Sequence, residues 1–157
     1  MVGILTYIIL NDSNINHTCP YNCNLRVIRR GIIALTVHVK LYQVPVNNVS
    51  VNLGLFKKAN GYKPFLYNVS FNFCNFMANR KKYPFVNIFY NIIANNSNLN
   101  HTCPYDHDII IKDLTVNENN FKLLPLPRGE YLFDLNVGAY NDWKANVKAY
   151  VEIRNDL

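Results

Sequence analysis

From Ile33 to Leu41 the chain alternates, with Ile33, Leu35, Val37, Val39 and Leu41 on one face and Ala34, Thr36, His38 and Lys40 on the other. A period of two is that of a half-buried strand, and Pro45 ends it. Val49, Val51, Leu53 and Leu55 form a second run of this kind. Asn60-Gly61 supplies a tight turn, because both residues tolerate positive φ. Phe65, Tyr67, Val69, Phe71 and Phe73 then alternate with Asn68, Ser70 and Asn72, so the two runs predict a hairpin. After Pro84 the period changes. Phe85, Val86, Ile88, Phe89, Ile92 and Ile93 recur at helical spacing and predict one amphipathic helix of about three turns, with proline in its first turn. Asn95 to Asn100 reads as a polar loop, Ile109 to Val116 as a strand, and Pro125, Pro127 and Gly129 as loop punctuation. Tyr131, Phe133, Leu135, Val137 and Ala139 form one more alternating run. After Asn141-Asp142, Trp143, Ala145, Val147, Ala149, Val151 and Ile153 form the last. Hairpin-connected strands with a single inserted amphipathic helix predict an all-β fold, a sandwich of two antiparallel sheets.

The 157 residues suit one domain with its own core, and 11 Tyr and 9 Phe make that core aromatic. The net charge of +6 is scattered, with short clusters only at Lys57-Lys58 and Arg80-Lys81-Lys82. No RNA-binding aromatic signature or zinc-finger spacing accompanies these cations, so they read as a solvated face and no nucleic-acid partner is expected. No stretch has the length of a transmembrane segment. Four cysteines and six N-x-S/T sequons, starting at Asn11, Asn16, Asn48, Asn68, Asn95 and Asn100, point to an extracellular, secreted glycoprotein. Met1 to Leu10 is apolar but short. It has neither a basic n-region nor a small-residue cleavage site, so no signal peptide is visible.

An internal repeat complicates the N-terminus. Asn11 to Asn22 reads NDSNINHTCPYN and Asn95 to Asp106 reads NNSNLNHTCPYD, identical at nine of twelve positions. A solenoid needs more copies at a fixed period, so the repeat reads as a local duplication. Only the second copy has a full domain context. Residues 1–22 are therefore expected to be a poorly packed segment that the fold does not need, and residues 23–157 a single domain.

Asn60 to Asn68 (NGYKPFLYN), Cys74 to Phe76 (CNF), Asn98 to Asp108 (NLNHTCPYDHD) and Leu124 to Tyr131 (LPLPRGEY) resemble, in the same order, an insect family of small secreted proteins of unknown function. That family is related to the CheB chemosensory proteins of flies and is similar to ML-type lipid-recognition domains. The resemblance runs from about Cys23 to the C-terminus. It implies an immunoglobulin-like, ML-type β-sandwich whose sheets can part along one edge to admit an acyl chain, in a role such as pheromone response. It also implies a signal peptide and a first strand carrying a cysteine well before Cys23; here the duplicated segment stands in their place.

A bridge between Cys74, after the third run, and Cys103, after the helix and its loop, would pin the helical insert to the sheet. Closing a loop of about 30 residues stabilises by roughly 3.6 kcal/mol in the chain-entropy model. Buried free thiols are the alternative. Cys19, four residues from Cys23, is the candidate substitute for that cysteine's missing partner. His101, Cys103, Asp106, His107 and Asp108 cluster in sequence but match no closed zinc pattern. They read as a turn whose side chains satisfy backbone donors, and no metal or cofactor is expected. There is no G-x-S-x-G, H-E-x-x-H or P-loop, and neither Cys74 nor Cys103 has a base with an orienting group, so no catalytic residue and no enzyme is expected. The candidates for an apolar cleft are Phe65, Tyr67, Phe71, Phe85, Phe89, Phe133, Leu135 and Trp143; such stripes are also ordinary core. Asn48, Asn68, Asn95 and Asn100 are the glycosylation candidates. The leading expectation is a non-enzymatic binding protein that holds a lipid or other apolar molecule between its sheets. The competing one is a glycosylated extracellular interaction module that docks to a receptor protein and has no cavity.

Overall fold

The structure, a computed structural model, describes residues 2–12, 22–29, 32–41, 43–115, 124, 126–140 and 142–153. Its strands are β1 (Val2–Asp12), β2 (Asn22–Arg29), β3 (Ile32–Val39), β4 (Val49–Ala59), β5 (Gly61–Asn72), β6 (Ile109–Thr115), β7 (Gly129–Ala139) and β8 (Asp142–Ile153). Helices α1 (Phe73–Ala78) and α2 (Pro84–Ala94), with a 3-10 turn at Arg80–Lys82 between them, lie between β5 and β6. The expected sandwich is present. One sheet has the order β1-β8-β7-β4-β5 and the other β2-β3-β6, with every pairing antiparallel.

The alternating runs become strands for the reason their pattern gives. Directly opposed residues share a face, so Val51 meets Phe71 on β5 and Val137 on β7, while Leu53 meets Val69 and Leu135. The opposite face of the same strands is an asparagine ladder. Asn52 Nδ2 donates to Asn68 Oδ1 at 3.0 Å and to Ser70 Oγ at 2.8 Å. Asn146 Nδ2 donates to Asp134 Oδ1 at 2.6 Å and Asn136 Oδ1 at 2.7 Å. The β4–β5 hairpin turns at Asn60-Gly61, where Gly61 takes a φ of 79° that a side chain would resist.

Three expectations are corrected. Residues 1–22 do not all stand apart from the fold: Val2–Asp12 pairs with β8 from Val2↔Ile153 to Asp12↔Ala145. The physical reason is that β8 would otherwise present a row of unpaired backbone groups at the sheet edge, and an apolar segment of strand length can satisfy them. Residues 13–21, including Asn16 and Cys19, lie outside the described residues. The third run does not continue through Phe73. β5 stops at Asn72, whose side chain accepts a hydrogen bond from the Asn75 backbone N–H at 3.1 Å and so caps α1. The helical insert therefore contains a short first helix as well as the expected amphipathic one.

Two clusters form the core beneath the helices. Leu55, Leu124, Tyr131, Val151 and Ile153 are buried together. Phe76, Val86 and Tyr90 form the second cluster, which joins α1 to α2.

Candidate functional site

A break in the β4–β5 register creates the most distinctive local feature. Gly54 pairs with Asn68 and Phe56 with Pro64, so β5 spends two more residues than β4 in covering the same distance. The single residue Leu55 then faces three, and the middle one, Leu66, takes a φ of 61° and is exposed. Leu66 is turned outward, while Phe65 and Tyr67 both pack against the inner cluster containing Leu55. The bulge thus doubles the aromatic side chains at this level of the sheet.

Helix α2 completes the group. Its amphipathic face sets Phe85 and Phe89 one turn apart, with ring centroids 5.0 Å from each other. Phe85 stacks on Tyr67 at 3.7 Å, and Phe89 meets Phe133 of β7 edge-on at 5.7 Å. Phe65 lies edge-on to Tyr131 at 5.7 Å. The result is a continuous aromatic row, Tyr67–Phe85–Phe89–Phe133, over the buried base of Leu55 and Tyr131. All four rings of the row are only half-buried. At the end of the group the Lys57 ammonium stands 5.4 Å from the Phe65 ring centre and 5.8 Å from that of Tyr131. Burial raises the Tyr131 phenol above its ordinary value, and its hydroxyl donates to the Pro127 carbonyl.

Five of the eight cleft candidates, Phe65, Tyr67, Phe85, Phe89 and Phe133, are brought together here. Phe71 is not among them: it packs with Phe76 and Tyr83 in the second cluster. Leu135 is half-buried in mid-sheet, opposite Leu53 and Val147. Trp143 is placed opposite Gly138 by the backbone, and its side chain lies outside the described residues. Lys57 was legible only as half of a basic pair. Its inward position follows from the strand phase, since it directly opposes Tyr131.

A cleft of about 250 Å³ opens at the end of the five-stranded sheet, beside Lys58, Tyr62, Glu130, Tyr150 and Glu152. Lys58 Nζ contacts Glu130 Oε2 at 2.7 Å. Tyr131 and Val151 of the buried cluster also line it, so this charged-walled cleft reaches the same core that underlies the aromatic row.

Cys74 and Cys103 form the disulfide, with Cα atoms 5.4 Å apart, so neither is a thiol nucleophile. The bridge ties the start of α1 to the Asn98–Asp108 loop. In that loop Tyr105 is buried, exchanges both backbone hydrogen bonds with Val46 at 2.8 Å, and donates from its hydroxyl to the His101 carbonyl at 2.6 Å. Burial, with the nearby Tyr90 phenol, pushes the Tyr105 hydroxyl up to about 12. Asp108 accepts from His38 Nε2 at 2.8 Å and from the Leu41 N–H at 3.0 Å, which holds its carboxyl below the usual carboxylate range. Asp108 thus satisfies a backbone donor, but one from the segment after β3, while the His101 and His107 rings lie against backbone carbonyls of Thr102 and Asp108. Among the described residues no three His, Cys, Asp or Glu side chains converge as a metal-binding group. Of the glycosylation candidates, Asn68, Asn95 and Asn100 are exposed and Asn48 is half-buried. Asn11 lies in β1 with its side chain outside the described residues.

Residues 51–133, just over half of the chain, match the model of a family described as protein of unknown function (DUF1091). The chain belongs to the DUF1091 family. The matched region of this DUF1091 chain spans most of β4, all of β5, both helices, the disulfide loop, β6 and the start of β7. It therefore contains every residue of the aromatic row together with Lys57. No curated protein matches the sequence. Among the described residues no helix is long and apolar enough to cross a membrane.

Proposed function

We propose that this DUF1091 chain is a secreted, non-enzymatic carrier of an apolar ligand, related to the CheB chemosensory proteins and to ML-type lipid-recognition domains. The observation that carries this reading is the half-buried row Tyr67–Phe85–Phe89–Phe133, built from β5, α2 and β7 above a buried base. An alkyl chain laid along these rings gains about 0.8 kcal/mol per buried CH₂ and requires no covalent chemistry. Lys57, at one end, supplies a cation for a carboxylate head, so a fatty acid suits the site better than a plain hydrocarbon. Four cysteines, a disulfide and exposed sequon asparagines support export.

Native mass spectrometry of protein secreted from insect cells tests the reading. A co-purifying lipid, or 1:1 complexes with fatty acids, is the expected result. The Lys57→Met variant should bind a fatty acid about tenfold more weakly and a hydrocarbon equally well. A secreted protein that carries no lipid and binds nothing across a panel of fatty acids, hydrocarbons and sterols would overturn it.

The second reading is an interaction module that docks to a receptor protein. It is supported by the end of β2, where Val27 is 71% and Ile28 50% exposed beside Arg26. An apolar pair at an edge strand, flanked by a cation, suits a protein surface. Val27→Ser/Ile28→Ser protein that still binds lipid but loses receptor capture would show that both surfaces are used.

A further inference from the structure

We propose that His101 and His107 form a binding site for a borderline divalent transition-metal ion of the zinc or copper type. The two Nε2 atoms face each other at 2.7 Å. His101 Nδ1 lies 2.7 Å from the Thr102 carbonyl oxygen. A carbonyl only accepts, so this nitrogen carries the ring's proton. His107 Nδ1 lies 2.8 Å from the Asp108 carbonyl oxygen, with the same consequence. Asn98 Nδ2 is also 3.2 Å from His107 Nδ1. The Asn98 amide is already oriented, however: its Oδ1 accepts from the Ile110 N–H at 3.0 Å and its Nδ2 donates to the Asp108 carbonyl at 2.7 Å. Asn98 and His107 are therefore two donors on one carbonyl.

With both ring protons on Nδ1, neutral imidazoles point two lone pairs at each other across a hydrogen-bond distance. That arrangement needs a positive charge between the nitrogens, either a shared proton or a metal ion. Nδ1–H anchored on a backbone carbonyl, with Nε2 left as the donor atom, is the tautomer that metal-bound histidines adopt. Two neutral nitrogen donors, with the nearest sulfur locked in the Cys74–Cys103 disulfide, select zinc- or copper-type ions over calcium or magnesium. Bonds of about 2.0–2.1 Å ask for a nitrogen separation of roughly 2.9 Å at a right angle and 3.4 Å at the tetrahedral angle. The rings must part by less than about an ångström, and His101 is exposed and has room to move. Asp108 is turned away toward His38 and Leu41. The other coordination positions are thus left to water or to a donor from a partner. The loop is fixed beforehand by the disulfide and by buried Tyr105, so binding does not have to order it.

The test is calorimetric titration of untagged secreted protein with Zn²⁺ and with Cu²⁺, together with ¹⁵N spectra of the histidine rings under Zn²⁺. One equivalent should bind saturably, and the Nε2 resonances of His101 and His107 should both move. His101→Ala and His107→Ala should each weaken binding at least about tenfold, while replacing His17, the counterpart of His101 in the duplicated Asn11 to Asn22 segment, by alanine (His17→Ala) leaves it unchanged. Near-ultraviolet circular dichroism establishes that the variants are folded. Absence of saturable binding overturns the proposal and assigns the bridge to a proton. Binding that leaves the two Nε2 signals in place, or that is lost in His17→Ala, also overturns it.

Discussion

Leu66 is one of three non-glycine residues with positive φ among the described residues, with Asp113 and Tyr140. Left-handed φ is uncommon for a residue with a γ-branched side chain, and holding it there costs on the order of 1 kcal/mol. Here that conformation lets Phe65 and Tyr67 share one face. Leu66→Gly should therefore raise stability by up to about 1 kcal/mol, and Leu66→Val should lower it by about 1–2 kcal/mol, in thermal unfolding. A destabilised glycine variant would contradict this description of the bulge. Tyr131 makes a second prediction at this scale. Burial raises its folded pKa above the ordinary 10.0, so the phenol's contribution is fully present below pH 10 and is lost as pH climbs through the raised value. Unfolding followed from pH 8 to 11.5 should show stability falling above about pH 10, and the fall should be shallower in Tyr131→Phe. Strand alternation placed Phe65, Tyr67 and Phe133 on one face, and helical spacing placed Phe85 and Phe89 on another, which is why five of the eight cleft candidates meet. The bulge that lets two of them share a level leaves no mark in a period-two pattern, because two extra residues preserve the phase on either side.

At the scale of elements, β3, β4, β5, β7 and β8 were legible from their alternation, and β6 was legible as the candidate strand Ile109 to Val116. Strand β2 was missed because Arg26 and Arg29 flank the adjacent apolar pair Val27-Ile28, which follows neither a helical nor a strand period. Helix α1 was missed for a different reason. Asn72 sits in phase with Asn68 and Ser70 and reads as one more outward strand residue, although it acts as a helix cap. Phe73, Phe76 and Met77 then have the spacing of a single helical turn, too short a stretch for periodicity to separate from a strand. The disulfide compensates for the shortness of α1 by fixing its first turn to the loop before β6. It closes a separation of 29 residues. Replacing both Cys74 and Cys103 by serine should lower unfolding stability by about 3–4 kcal/mol, measured by denaturant titration against wild type. A loss below about 1 kcal/mol would show that the insert holds its position without the bridge.

The whole molecule depends on its sheet edge. The duplication pointed to a dispensable N-terminus, because sequence similarity says nothing of where a segment can find backbone partners. β1 finds them on β8. Deleting residues 1–12 should bare that edge, lower the melting temperature by roughly 10 °C, equivalent to about 3 kcal/mol at this chain length, and promote self-association visible in light scattering. An unchanged melting temperature and a monomeric product would restore the reading of the N-terminus as an unneeded addition. The two faces of the five-stranded sheet differ in chemistry. The asparagine ladder, with exposed Asn68, faces outward, while the half-buried aromatic row lies under α2. A glycan at Asn68 would therefore leave the row accessible.

That row is tested most directly by titrating the secreted protein with N-phenyl-1-naphthylamine, an apolar fluorophore that brightens when it leaves water. Saturable 1:1 binding is expected. Phe89→Ala should weaken it at least about tenfold, through loss of the ring that links Phe85 to Phe133, whereas Phe71→Ala, in the other cluster, should leave affinity within about twofold. No saturable enhancement in wild type, or equal losses in the two variants, would contradict an apolar site along Tyr67, Phe85, Phe89 and Phe133.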